Sequence, residues 1–266
     1  MEKNIHRQER QVIAVVLRML VDERGRKFLF EGDRGSVKIG GLGVVNTDRL
    51  VKFSDGDEVQ IAGKKFRLLP PTIEDVLSSI YRGPQIIVPK DAALIVHHLS
   101  IGCGSTVVEG GSGSGSLALS LLKAVYPTGR VVSFDNRKEH LSIASRNVRA
   151  SGMSSSWHPV LGDIRNVSLG RKVDAMAVDI PDPWNVFSAA SSILKTGAIL
   201  AIYVPTINQT ERTVVSSAGT VFSHEISFES IFRKLEINEG ASRHSFDTLG
   251  HSGYISIFRK MFERPV

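Results

Sequence analysis

Between Pro89 and Ala218 the chain alternates between two kinds of apolar segment. Short apolar runs at Thr106–Glu109, Val131–Phe134, Trp157–Leu161, Val173–Asp179 and Ala198–Val204 are bounded by glycine, proline or acid, which predicts buried strands. The segments between them, Lys90–Leu99, Ser116–Val125, Lys138–Ala150, Trp184–Leu194 and Gln209–Ala218, predict helices. Strands alternating with helices imply a parallel sheet covered on both faces. The continuous run Ala175-Met-Ala-Val178 suits its centre. After about residue 220 the pattern turns β-rich and ends in Tyr254–Phe258.

Residues 1–75 follow another rhythm. Turn signals at Asp22–Gly25, Gly32–Gly35, Ser54–Asp57 and Ala62–Lys64 break short apolar stretches, which predicts a small antiparallel β domain or barrel. Pro70-Pro71 closes it and Thr72 opens a helix over Ile73–Ile80. The expected division is therefore a β domain over 1–75 and an α/β domain over 76–266.

Composition changes this picture little. Hydrophobic content of 42% and charged content of 23% are ordinary for a soluble globular protein. The single cysteine, Cys103, allows no intrachain disulfide and suits a reducing cytoplasm. Val12–Leu20 is interrupted by Arg18 and is too short to span a membrane, so neither a signal peptide nor a membrane helix is expected. The net charge of +6 favours a polyanionic partner only mildly, because the basic residues are spread along the chain.

The candidate chemistry lies at strand ends. Glu109-Gly-Gly111-Ser112-Gly113-Ser114-Gly115 reads as a strand end, a tight loop and a helix N-terminus facing a nucleotide-like ligand. Asp135 ends the next strand about 20 residues on, where an acid suits two ribose hydroxyls. A nicotinamide dehydrogenase would share that acid, but its glycines are spaced G-x-G-x-x-G. The G-x-G-x-G spacing here, with Glu109 before it, is that of S-adenosylmethionine methyltransferases. Asp163, after the third strand, reads equally as an acceptor for the adenine amine or as a turn-capping acid. Asp179 ends the fourth strand in Asp179-Ile-Pro-Asp182-Pro-Trp184, where two prolines stiffen the loop. A fixed carboxylate there is placed to orient or deprotonate a target amine. Asp182 is expected to cap the following helix, and Trp184 reads equally as core or as a stacking surface.

Four segments together are more specific. Arg82-Gly-Pro-Gln85-Ile-Ile-Val88-Pro89-Lys90-Asp91-Ala92, the glycine loop, the Asp179–Trp184 segment and Pro205-Thr-Ile-Asn-Gln209, with the late His251-Ser-Gly-Tyr254, resemble the tRNA (adenine-N1)-methyltransferase family of the TrmI type. The resemblance runs from about residue 20 onward; the first dozen residues match nothing in the family and read as disordered or as preceding the true start. It implies a Rossmann-like class I methyltransferase sheet, mostly parallel with an antiparallel C-terminal strand, behind a small β domain. It implies methyl transfer from S-adenosylmethionine to adenine N1 in the tRNA T-loop, usually by a homotetramer; a cytoplasmic setting and no metal are expected from the residues themselves. Gln85, Glu109, Gly111, Ser112, Gly113, Ser114, Gly115, Asp135 and Asp163 would line the cofactor site. Asp179 would touch both the cofactor and the target base. The family usually carries a ring residue before the proline, where this chain has Val88; either substrate placement is altered or Tyr81 or Trp184 supplies the ring. Arg243 is a candidate phosphate contact or surface ion pair. His251, with His244 and Asp247, suits hydrogen bonding or RNA contact better than a metal. A non-catalytic S-adenosylmethionine- and tRNA-binding subunit and a small-molecule methyltransferase of the corrinoid-pathway type are the alternatives.

Overall fold

A computed structural model describes residues 17–32, 35–80 and 86–263. Tyr81, Gln85 and the first dozen residues lie outside the described residues. Contacts divide the chain into two units, one running up to Pro71 with Ala150–Gly152, the other comprising Thr72–Arg149 and Met153 onward.

In the first unit β1 (Leu17–Asp22), β2 (Lys27–Glu31), β5 (Glu58–Ile61) and β6 (Lys64–Leu69) form an antiparallel sheet in the order β2-β1-β6-β5, while β3 (Ser36–Ile39) and β4 (Gly43–Asn46) pair as a separate hairpin. The Asp22 carboxylate accepts from the amides of Arg24 and Arg26, so the first turn signal works through side-chain capping of the backbone. Leu20, Phe30, Val59, Phe66 and Leu68 fill the core of the unit. The described strands leave β2 and β5 as edges, an open sheet rather than the closed barrel the turn spacing also allows.

In the second unit α1 (Ile73–Ser79) and α2 (Pro89–Leu99) precede β7 (Thr106–Gly110), α3 (Ser116–Val125), β8 (Arg130–Asp135), α4 (Lys138–Ala150), β9 (Trp157–Leu161), β10 (Val173–Val178), α5 (Phe187–Ile193), β11 (Leu194–Val204), α6 (Ile207–Ser217), β12 (Phe222–Glu229), the short β13 (Leu235–Glu236) and β14 (Arg243–His244), and β15 (Tyr254–Lys260). Seven strands join in the order β12-β15-β11-β10-β7-β8-β9. Only β15 runs antiparallel to its neighbours. The order reverses between β7 and β10, and a crevice opens at the carboxyl ends of strands where a doubly wound sheet reverses.

Local chemistry explains most boundaries. Thr72 and Asp75 form a reciprocal capping box that starts α1. α3 is apolar nearly all round and is buried accordingly. The helix expected over Trp184–Leu194 divides into a tight 3-10 turn, Pro183–Asn185, and α5, because Pro183 sets the turn.

A partly buried polar knot holds the return loop over the sheet. Lys90 Nζ shares its three hydrogens among four acceptors within hydrogen-bond distance, Asp91 Oδ1 (2.7 Å), the Ser230 carbonyl (2.7 Å) and the hydroxyls of Ser230 (2.8 Å) and Ser252 (2.7 Å). Asp91 is fully buried. The ammonium therefore ties both ends of the excursion between β12 and β15 to the start of α2.

Candidate active site

The glycine loop is held at both sides. Gly111 N donates to the Phe134 carbonyl (2.8 Å) and Asp179 N to the Gly110 carbonyl (2.8 Å). Gly111 adopts φ +88°, and a Cβ there would lie 2.0 Å from the Asp179 carbonyl oxygen. Glycine is thus required by contact as well as by conformation. Asp135 Oδ2 accepts from Gly113 N (3.1 Å) and Ser112 Oγ (3.3 Å), while its Oδ1 accepts from Arg137 N (2.9 Å). The Ser114 carbonyl accepts from Asn147 on α4 (2.8 Å), and Gly115 begins α3 in the left-handed region.

Beside this loop lies a cavity of about 220 Å³ lined by Gly111, Phe134, Asp135, Asp163, Ile164, Arg165, Asp179, Ile180 and Asp182, among others. Gly111, Asp135, Asp163 and Asp179, distant in the chain, therefore meet in one place. Among the described residues nothing donates to the Asp179 carboxylate, and burial, then the charge of Asp135, pushes its pKa up to about 7. Gln209 Nε2 donates to the Pro181 carbonyl (3.0 Å), so the Pro205–Gln209 segment braces the loop that carries Asp179. Asp163 caps the turn after β9, accepting from Arg165 N (2.9 Å), and the Arg165 guanidinium holds its carboxyl below the usual carboxylate range. The capping reading of Asp163 is thus realised, with its carboxylate still on the cavity wall.

Other expected site residues stand elsewhere. Glu109 is fully buried beneath the loop rather than on the cavity wall. As the penultimate residue of β7 it lies in register with Ser133 and Ala177, inside the sheet. Its Oε2 accepts from the Ser133 hydroxyl, and its Oε1 has no partner. Val88 is the N-cap of α2 and lines a separate groove of about 690 Å³ with α1 and the 232–249 loop. The Arg212 guanidinium covers the Trp184 ring at 3.8 Å, leaving that face closed to a base. Arg243 pairs with Glu236 and lies over Phe246, the ion-pair reading. His251 bonds to Glu229 (2.6 Å) and to the Pro205 carbonyl (2.8 Å), which fixes the late loop rather than facing the cavity. Asp182 does not cap with its side chain; it accepts from Arg165 (2.5 Å) and Asn185 (2.9 Å). Arg165 escapes the sequence reading, since no local pattern marks it.

Burial raises the Glu109 pKa to about 8, with Asp179 and Asp135 adding to the rise against the Ser133 hydroxyl and the Ala118 amide. The unfolded chain releases this proton near 4.5, while the folded one keeps it until about 8. Between those values unfolding releases a proton, so rising pH favours it. The ligand-free protein is expected to lose thermal stability across this window, and Glu109→Gln to show a flatter profile. Calorimetric melts at several pH values check this; equal slopes would remove Glu109 as the cause.

The residues fit S-adenosylmethionine. The unpartnered Asp179 carboxylate on the cavity wall suits the positive ammonium and sulfonium of that molecule. Asp135 suits ribose hydroxyls and Asp163 an exocyclic amine. Sheet order, glycine loop and acids at the strand ends together define a class I S-adenosylmethionine-dependent methyltransferase. Comparison with known proteins narrows this. The family described as tRNA methyltransferase complex GCD14 subunit matches residues 66–253. A tRNA (adenine(57)-N(1)/adenine(58)-N(1))-methyltransferase TrmI of Methanocaldococcus jannaschii is 32% identical over 91% of this chain and 94% of its own. A tRNA (adenine(58)-N(1))-methyltransferase TrmI of Thermus thermophilus is 31% identical over 91% of this chain and 96% of its own. A crystal structure of a Thermotoga maritima protein described as a SAM-dependent O-methyltransferase superposes with a TM-score of 0.81 at 26% identity, covering 95% of this chain and 96% of that one. The chain belongs to the TrmI-type tRNA (adenine-N1)-methyltransferase family.

Proposed function

We propose that this protein transfers a methyl group from S-adenosylmethionine to N1 of an adenine in the tRNA T-loop. The observation that carries the reading is the unpartnered Asp179 carboxylate on the cavity wall, in a loop stiffened by two prolines and braced by Gln209. When bound, the cofactor supplies an electrophilic methyl group on a good leaving group.

The chain's residues do the rest. Asp135 orients the ribose, Asp163 accepts from the cofactor's adenine amine, and Gln85 is assigned to the same site on sequence grounds. The loop from Gly111 to Gly115 passes close to the ligand without side-chain bulk, and Glu109 supports it from beneath, bonded to Ser133. Asp179 accepts from the N6 amine of the target base. Methylation at N1 makes that base cationic unless N6 sheds a proton, so the carboxylate stabilises charge as it develops. A base stacked in folded tRNA must be extruded to reach this carboxylate.

The same reading includes RNA binding by the positively charged chain, a cytoplasmic setting and a homotetramer. Among the described residues no helix is long and apolar enough to cross a membrane. Exposed Ile231, Phe232, Ile237 and Phe246 beside β13 and β14 offer apolar surface for subunit contacts. The test is mass spectrometry of nucleosides after incubating protein, cofactor and unmodified tRNA transcript, with 1-methyladenosine as the expected product. Cofactor binding without any methylated nucleoside would favour the non-catalytic subunit.

A further inference from the structure

The turn after β9 does more than end a strand. Ile164 is buried in the core and packs against Gly110, where a Cβ would lie 2.8 Å from Ile164 Cγ1. With Ile164 tucked inward, Asp163 and Arg165 both reach the cavity wall. Arg165 Nε lies 2.8 and 2.9 Å from the two Asp163 oxygens, and Nη2 donates to Oδ2 at 2.6 Å. Its remaining arm, Nη1, donates to Asp182 Oδ2 at 2.5 Å. Asp182 is held from its other side by Asn185.

This chain of contacts crosses the crevice. β9 and β10 are not neighbours, because β7 and β8 lie between them. The loops that follow them therefore converge over the carboxyl ends of the two middle strands, and Arg165 is the tie. Its fork also occupies the Asp163 carboxylate almost fully. A carboxylate offers about four acceptor positions, and the Arg165 amide, Nε and Nη2 take three of them. One position remains on an ionised group whose plane is fixed.

Resting on the cofactor reading above, we propose that Arg165 is a positioning residue that sets the cavity's selectivity for a 6-amino purine. It presents Asp163 as an acceptor for one N–H and straps the cavity through Asp182. An exocyclic amine satisfies the free position. A 6-oxo group would bring a carbonyl against a carboxylate that cannot take up a proton to relieve the clash. The guanidinium keeps the Asp163 carboxyl ionised, consistent with the direction of its pKa shift.

The test is calorimetric binding of S-adenosylhomocysteine and of its deaminated analogue, S-inosylhomocysteine, which differ in the purine 6-substituent and in the hydrogen that the 6-oxo form carries on N1. Wild type is expected to prefer the amino compound. Arg165→Gln is expected to weaken S-adenosylhomocysteine roughly ten- to hundredfold, the scale of a lost charge-assisted hydrogen bond. It is also expected to bring the ratio of the two affinities towards one. With Asp163→Asn already present, Arg165→Gln should cost little more, because both act through one carboxylate. A residue that merely holds the fold would lower both affinities alike, so an unchanged ratio overturns the proposal. Should Arg165→Gln fail to fold, Arg165→Lys is read in its place, since it keeps the charge but not the fork. Wild type that binds neither compound overturns the cofactor reading instead.

Discussion

Asp179→Asn is expected to slow methyl transfer by about 10²- to 10⁴-fold, the usual contribution of a positioned acid–base group. Affinity for S-adenosylhomocysteine should change far less. The cavity is lined by several groups that hold a ligand, but the Asp179 carboxylate has no donor of its own among the described residues. Asparagine fills the same space, yet it presents an amide N–H where the target amine needs an acceptor. A pH signature accompanies the loss. With its pKa raised to about 7 by burial and by Asp135, Asp179 is only partly ionised in the free protein near neutrality. The ionised form accepts the amine hydrogen, so kcat/KM should climb as pH rises through that value, and the climb should vanish in the variant. Stability separates this from misfolding. A carboxyl with a raised pKa makes folding less favourable as pH rises above the unfolded value of 3.8. Asp179→Asn should therefore be at least as stable as wild type at alkaline pH. Activity that survives the substitution, measured as 1-methyladenosine formed per unit time, would remove Asp179 from the chemistry.

The residues that define the cavity are legible to different depths. Strand period places Asp135 and Asp179 correctly at carboxyl ends, because a buried apolar run has few other ways to end in an acid. The same logic puts Glu109 on the cavity, although it is an interior position of β7, and which side of the final pleat it occupies depends on pairing with β8 and β10. β11 begins at Leu194 rather than Ala198, because Lys195, Thr196 and Gly197 are exposed and look like loop while Leu194 already pairs with Val173. Asp182 follows local rules for a cap and breaks them, since Arg165, 17 residues away, claims it. Arg165 itself is invisible to any window reading. Its role exists only because two loops from non-adjacent strands meet. Trp184, Arg243 and His251 each find a partner in another element, and those partners come from the tertiary arrangement.

Gly111→Ala should remove cofactor binding and weaken the fold, whereas Gly113→Ala, two positions along the same loop, should disturb the fold far less. At Gly111 the added methyl would lie 2.0 Å from the Asp179 carbonyl oxygen and 2.9 Å from its carbon. Neither partner can retreat without loss. Gly111 N is bonded to the Phe134 carbonyl and Asp179 N to the Gly110 carbonyl, so separation breaks the junction of β7, β8 and β10. The left-handed backbone at φ +88° adds about 1–2 kcal/mol for any residue with a Cβ. Clash and strain together place the cost in the range of about 4 kcal/mol or more that only named core defects reach. Because the displaced loop carries Asp179, affinity for S-adenosylhomocysteine should fall by at least roughly a hundredfold, equivalent to about 2.7 kcal/mol. Gly113 also has positive φ, at +49°, but a Cβ there meets nothing within 4 Å. Alanine at 113 is limited to the conformational cost of about 1–2 kcal/mol, and its amide can still donate to Asp135. Thermal melts and calorimetric binding of the two variants side by side separate the causes. Equal damage at both positions would mean that the loop needs flexibility. Loss of stability confined to position 111 means that it needs the close approach of the Asp179 backbone, the contact that sets the Asp179 carboxylate against the cavity.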